Sequence, residues 1–252
     1  LGGVAGVSQA VGVLRFGAAL ARPRPDVGAR LAREWWSTRD PAGWPAPPDG
    51  GGRPVVLVPG FLAGDPSLGR LAAWLRRGDF RTYRSGIRLN ADCMEPLVAG
   101  LERRVEDVAG RAGRPVLVVG QSRGGTLGRV LAVRRPDLVD TLVTLGAPVR
   151  EQLAVSPPTR VAVTAIGALG SLGVPGLLSA TCAAGPCCEQ ARGEVGRPFP
   201  KRVRYIALYS PRDEVVRPDA CTDAAAENVE VVTSHVGMGL DAGVWRMLAE
   251  LL

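Results

Sequence analysis

The chain reads as an α/β protein: a mainly parallel sheet of about six strands, with helices on both faces and one cap insertion. Three observations predict it. Short aliphatic and β-branched runs alternate with segments whose apolar residues recur at helical spacing. The runs lack the alternation of a half-exposed strand, as Val116-Leu117-Val118-Val119 shows, which suits strands buried between two helix layers. The alternation is broken once, by a long interval at 148–200 rich in Ala, Gly, Val and Leu.

Taken in order, residues 1–37 carry two helix-like patterns: Val4, Val7, Val11, Leu14 and Phe16, then Val27, Leu31, Trp35 and Trp36. Gln9 and Arg15 interrupt the first, so it falls short of the roughly 20 apolar residues that span a bilayer. Residues 1–37 are expected to lie against the core or in a membrane surface, as a peripheral contact. Ala19-Leu20-Ala21 has the small-residue look of a signal cleavage site, but the stretch before it has no basic start, which leaves the compartment open. Residues 38–53, dense in Pro and Gly, read as a linker that forms neither helix nor strand. Residues 1–53 are thus an N-terminal segment, and 54–252 the α/β domain.

Within that domain strands are expected at 54–58, 80–85, 115–119, 138–145, 203–209 and 229–234. Helices are expected near 66–77, 94–111, 123–135 and 241–252. In the third of these Leu127, Val130, Leu131 and Val133 form the apolar face, and Pro136 stops the helix. The 148–200 interval follows a strand end, so it is expected to cover the carboxyl edge of the sheet, where open α/β folds bind ligands.

Composition narrows the class. At 252 residues the chain is long enough for one domain with a full core. Its net charge of +7 would permit nucleic-acid binding. The basic residues, however, are arginines with Lys201 as the only lysine, spread beside acids as in Glu102-Arg103-Arg104-Val105-Glu106-Asp107, without interleaved aromatics. No nucleic-acid partner is expected. Five cysteines, Cys93, Cys182, Cys187, Cys188 and Cys221, leave at least one unpaired if the others form disulfides. The spacing of Cys182, Cys187 and Cys188 fits no common zinc pattern, so no metal is expected. Two alternatives stay open: small buried residues, or a bridge from the 182–188 cluster to Cys221.

The chemistry centres on Gly120-Gln121-Ser122-Arg123-Gly124-Gly125. A G-x-S-x-G turn between a strand and a helix lifts a serine hydroxyl above the sheet edge. Such a hydroxyl needs a base held by a carboxylate. The chain has one histidine, His235, placed just after the apolar run 229–234. Asp213, just beyond the preceding strand, is the expected acid, with Glu214 and Asp219 as neighbours that could replace it. The order Ser122, Asp213, His235 is that of the elbow-type hydrolases. Two backbone N–H groups are expected to form the oxyanion hole: that of Arg123, directly after the serine, and that of Phe61 in the Pro59-Gly60-Phe61-Leu62 turn, with Leu62 as runner-up.

These residues resemble those of serine hydrolases of the α/β-hydrolase superfamily, and in particular bacterial lipase-like esterases. The likeness rests on the Pro59-Gly60-Phe61 turn, the elbow, and the loop Tyr209-Ser210-Pro211-Arg212-Asp213-Glu214-Val215-Val216. Ser179-Ala180-Thr181-Cys182 and Ser234-His235-Val236-Gly237-Met238 extend it. It covers 54–252; Gln121 and Arg123 depart from the usual elbow residues. The resemblance implies carboxylic-ester hydrolysis through an acyl-enzyme, without a cofactor. A small-molecule ester or lipid would be the substrate, and the apolar 148–200 insertion favours acyl chains and serves as a lid. Rival readings are a thioesterase, acyltransferase or perhydrolase on the same scaffold, and a non-catalytic lipid-binding module.

Overall fold

A computed structural model describes residues 25–183 and 185–252. The first helical pattern, Val4 to Phe16, lies outside the described residues.

Six strands form one sheet: β1 Pro54–Val58, β2 Arg81–Arg84, β3 Val116–Gln121, β4 Val139–Leu145, β5 Arg204–Tyr209 and β6 Glu227–Glu230. Their order is β2-β1-β3-β4-β5-β6, and every pairing is parallel. The helices are α1 Pro25–Ser37, α2 Gly69–Arg77, α3 Met94–Ala112, α4 Arg123–Arg134, α5 Pro157–Ser171, α6 Glu189–Val195 and α7 Ala242–Leu251. No helix among the described residues is long and apolar enough to cross a membrane.

The continuous apolar runs have a simple use. Successive side chains of a strand point to opposite faces, so each run feeds two cores at once. Val56, Val58, Val116, Val118 and Leu142 pack with Val98, Leu101 and Val105 of α3 and with Leu127, Val130 and Leu131 of α4. Val55, Leu57, Leu117, Val119, Val143 and Leu145 pack on the other face with Leu71, Trp74 and Leu75 of α2 and with Val244, Trp245 and Leu248 of α7. At about 25 cal/mol per Å² of apolar surface, burial on both faces makes the central strands a main source of the fold's stability.

Three expectations are corrected. The last strand is Glu227–Glu230 rather than 229–234. Past Val231, whose N–H still reaches Tyr209 O at 2.8 Å, the chain leaves the ladder. Thr233 O accepts from the Ser210 hydroxyl at 2.6 Å, and the Ser234 N–H donates to Glu34 Oε1 at 2.7 Å. These side-chain partners take the groups a further strand residue would have offered to β5.

The 38–53 stretch contains a short 3-10 turn at Pro41–Gly43, with Asp40 Oδ1 capping Ala42 N at 2.9 Å. It also lies against the domain: Trp44 packs edge-on to Trp245, and Trp74 Nε1 donates to Pro45 O at 2.8 Å.

The open alternative of a bridge to Cys221 is excluded, because Cys221 carries a free thiol, and Cys182 is bonded to Cys93 at the N-cap of α3. Cys221 is buried instead with Ala154, Val216 and Ala220, where desolvation pushes its thiol pKa well above the ordinary value. The Cys93, Cys182 and Cys188 sulfurs lie within 4.8 Å of one another, with the first two engaged in that disulfide.

The 148–200 interval holds α5 and α6 joined by 3-10 turns. It is anchored at several points: an isolated bridge from Val155 to Val216, the Leu178 N–H to Ala91 O at 2.7 Å, and the Cys93–Cys182 bond. Arg134 of α4 meets Glu95 of α3 at 2.7 Å and Glu194 of α6 at 2.5 Å, tying the insertion to both core helices.

Candidate active site

β3 ends at Gln121 and α4 begins at Arg123, so Ser122 alone makes the turn. It sits at φ 52° and ψ −129°, a conformation that costs a non-glycine residue about 1–3 kcal/mol. Two close approaches enforce the flanking glycines. A Cβ on Gly120 would lie 2.5 Å from Gly124 O, and one on Gly124 would run into the Val58 carbonyl. Ser122 N–H is held by Leu145 O at 2.8 Å, which fixes the turn to the end of β4.

His235 follows the irregular segment after β6. Its Nδ1 lies 2.7 Å from Asp213 Oδ2, and both side chains are almost wholly buried. The other oxygen of Asp213 accepts from Val215 N and Val216 N, each at 2.8 Å. The carboxylate is therefore clamped from its own loop while it faces the ring. Glu214 reaches only the backbone N–H of His235, at 3.3 Å, and Asp219 pairs with exposed Arg217. Of the three carboxylates considered from sequence, Asp213 is the one on the imidazole. With Nδ1–H donated to Asp213, the Nε2 lone pair is free to act as a base.

Ser122 and His235 line the same cavity, of about 1030 Å³, roofed by the insertion through Val163, Leu178 and Val195. Its volume suits a small-molecule ligand, at the upper end of the range of roughly 300–1,000 Å³.

The turn after β1 comes to the serine: a Cβ on Gly60 would lie 3.2 Å from that of Ser122. Leu62, at φ 59°, has its N–H committed to Asn90 O at 3.0 Å. The Phe61 N–H has no protein acceptor among the described residues. Arg123, as the first residue of α4, has an N–H that no helical carbonyl can reach.

Sequence reasoning missed the groups that hold these parts in place. Asn90, fully buried, donates to Pro59 O at 2.7 Å and accepts from the Arg123 guanidinium at 2.7 Å. The turn after β1 is thus linked through Asn90 to the residue after the serine. Burial pushes the Arg123 pKa down to about 10, against the opposing influence of Cys188 and Asp92. Gln121 Nε2 donates to His235 O at 3.1 Å, bridging the elbow to the histidine loop. Nothing in local sequence marks Asn90, and Gln121 showed only as a departure from the usual elbow.

No protein-family model matches the chain. Solved structures do. Lipase BlEst2 of Bacillus licheniformis, in mature form, is similar over 81% of this chain and 93% of that one, with 15% identity and a TM-score of 0.60. A soluble variant of monoglyceride lipase from Saccharomyces cerevisiae is similar over 82% and 88%, with 15% identity and a TM-score of 0.56. A thioesterase domain from the curacin biosynthetic pathway is similar over 81% and 92%, with 14% identity and a TM-score of 0.53. Together with the parallel strand order and the strand-turn-helix passage through Ser122, these likenesses show that the chain has the α/β-hydrolase fold.

Proposed function

We propose that the chain is a serine carboxylic-ester hydrolase of lipase or esterase type, acting on apolar acyl esters through Ser122, His235 and Asp213. The observation that carries this reading is the 2.7 Å contact of Asp213 with His235 at the wall of a largely apolar cavity that Ser122 also lines. The Ser122 hydroxyl attacks the ester carbonyl carbon while His235 Nε2 takes its proton. The oxyanion of the tetrahedral intermediate accepts hydrogen bonds from the N–H groups of Phe61 and Arg123. Collapse expels the alcohol, which takes the proton from His235 and leaves an ester on Ser122. Water then enters by the same route and releases the acid. Asp213 stabilises the imidazolium formed in each step.

The 148–200 insertion acts as a lid over the acyl pocket. The N-terminal segment 1–37 makes a peripheral membrane contact, a reading supported by Trp35 and Trp36, 43% and 64% exposed on α1 with the Arg39 guanidinium over both rings. Sedimentation with lipid vesicles tests that contact, since Trp35→Ala/Trp36→Ala is expected to remain in the supernatant.

A fluorophosphonate probe tests the chemistry. Wild-type protein is expected to be labelled at Ser122 and to hydrolyse p-nitrophenyl esters, with Ser122→Ala unlabelled and slower by several orders of magnitude at unchanged melting temperature. Equal labelling of the two proteins, or none of either, overturns the assignment.

A further inference from the structure

The loop that carries His235 is held by a carboxylate from the other end of the chain. Glu34 lies on α1 beside two exposed tryptophans, yet is itself only 4% exposed. Its Oε1 accepts from Thr233 Oγ1 at 3.0 Å and from Ser234 N–H at 2.7 Å, and its Oε2 accepts from the Ser234 hydroxyl. That hydroxyl in turn accepts from Gly237 N–H at 3.0 Å. Three donors from the two residues before His235 thus converge on one acceptor-only group, and Gly237, on the other side of the histidine, is tied to it through the Ser234 hydroxyl. The fit is close: a Cβ on Gly237 would lie 2.5 Å from Glu34 Cδ.

The end of the same helix secures the rest of the loop, and its middle touches the acid loop. Thr38 Oγ1 donates to Leu240 O at 2.7 Å, and Ala242 N–H donates to Ser37 Oγ at 3.3 Å. Arg30 donates to Arg212 O, next to Asp213, at 3.1 Å. The sheet contributes less to the loop, because the ladder between β5 and β6 ends before Thr233.

We propose that Glu34 is a positioning residue that sets the His235 ring against Asp213, an inference that rests on the reaction given above. The physical reason is the shortness of the path: the Ser234 N–H bound to Glu34 belongs to the residue just before His235. A carboxylate satisfies every donor facing it. A glutamine of the same shape does not: its NH₂ either faces the Ser234 N–H, donor against donor, or donates to the second lone pair of the Ser234 hydroxyl and leaves that O–H without the acceptor it now has. Buried mismatches of this kind move the backbone, and a displacement of about 1 Å at a reacting group costs roughly 100-fold in rate.

The test is Glu34→Gln, read by kinetics and by the NMR signals of the imidazole. His235 is the only histidine in the chain, so those signals report on this site alone. The variant is expected to lose roughly 10- to 100-fold in kcat with KM within about twofold, and to shift or broaden the Nδ1 proton bonded to Asp213. Should Glu34→Gln not fold, Ser234→Ala removes the Oε2 branch, together with the Gly237 N–H bond to the same hydroxyl, keeps the Oε1 branch, and is expected to change both readouts in the same direction. A folded variant with a lowered melting temperature but wild-type kcat and an unchanged His235 signal assigns Glu34 to stability alone and overturns the proposal. If wild-type protein neither reacts with fluorophosphonate nor cleaves esters, the hydrolase reading fails, and the His235 signal still decides whether Glu34 positions the ring.

Discussion

At Ser122 the backbone is held at φ 52°, where a side chain is strained and glycine is not. Ser122→Gly is therefore expected to be inactive yet more stable, by about 1 kcal/mol after glycine's greater chain entropy is deducted from the relieved strain. Urea unfolding midpoints measure this, and a loss of stability would place the strain elsewhere. Asp213 provides a second contrast. Asp213→Asn keeps the shape but presents an amide to the ring and removes the charge that stabilises an imidazolium, so kcat is expected to fall by roughly 10⁴. Glu214→Gln touches only the backbone N–H of His235, and kcat/KM is expected to stay within about tenfold of wild type. The reverse ranking in steady-state assays would move the acid by one residue.

Among the elements of the insertion, α5 has little hold on the core. Gly167 is its only buried residue, and Val161 and Leu169 are exposed. The segment after it is pinned through Leu178 and Cys182, so lid motion, if it gates the cavity, belongs to α5. Leu177 and Leu178, adjacent in sequence, face different places: Leu178 lines the cavity with Ser122, while Leu177 lines a separate depression beside Arg88 and Leu97. Leu178→Ser is expected to change the ratio of kcat/KM between long and short p-nitrophenyl esters by roughly tenfold, the scale of a few buried methylenes. Leu177→Ser is expected to leave the ratio unchanged. Equal effects would show that the insertion is read as a whole rather than through its pocket wall.

The whole molecule is closed by long-range ties. The Cys93–Cys182 bond spans 89 residues of chain and joins α3 to the insertion. A cross-link over a loop of that size contributes about 2–5 kcal/mol. Cys93→Ser is accordingly expected to lower thermal stability by that amount and to speed limited proteolysis within 148–200, with the core sheet spared. Arg134 backs this tie, since it meets Glu95 and Glu194 together, and Arg129 adds a buried pair with Asp223 at 2.7 Å. Should proteolysis of Cys93→Ser begin at the N-terminal segment instead, the bond is not what secures the insertion.

The first five strands were legible to within a residue or two, and β1 and β3 most clearly, because an unbroken run of β-branched and aliphatic side chains has only one good environment, a strand covered on both faces; β2, Arg-Thr-Tyr-Arg, has no such run. The G-x-S-x-G turn was legible for a related reason, since glycine is required where backbone atoms approach as closely as those of Gly120 and Gly124 do. The pairing of Asp213 with His235 followed from motif order. Local pattern failed elsewhere. Val231 and Val232 read as strand, but the chain turns away there because Ser210 and Glu34 offer partners from afar. α5 was not recognised, because Ala and Gly blur the helical period of its apolar residues. The tryptophans of α1 stand out in the sequence as part of its apolar face, whereas among the described side chains of that helix the buried one is Glu34. Sequence by itself determined the layers of this protein and the order of its reactive groups, since both depend on local periodicity and spacing. Only the tertiary structure decided which distant side chains, Asn90, Glu34 and Cys93 among them, bond to the loops and the insertion around those groups, because contacts across about 30 to 200 residues leave no trace in local pattern.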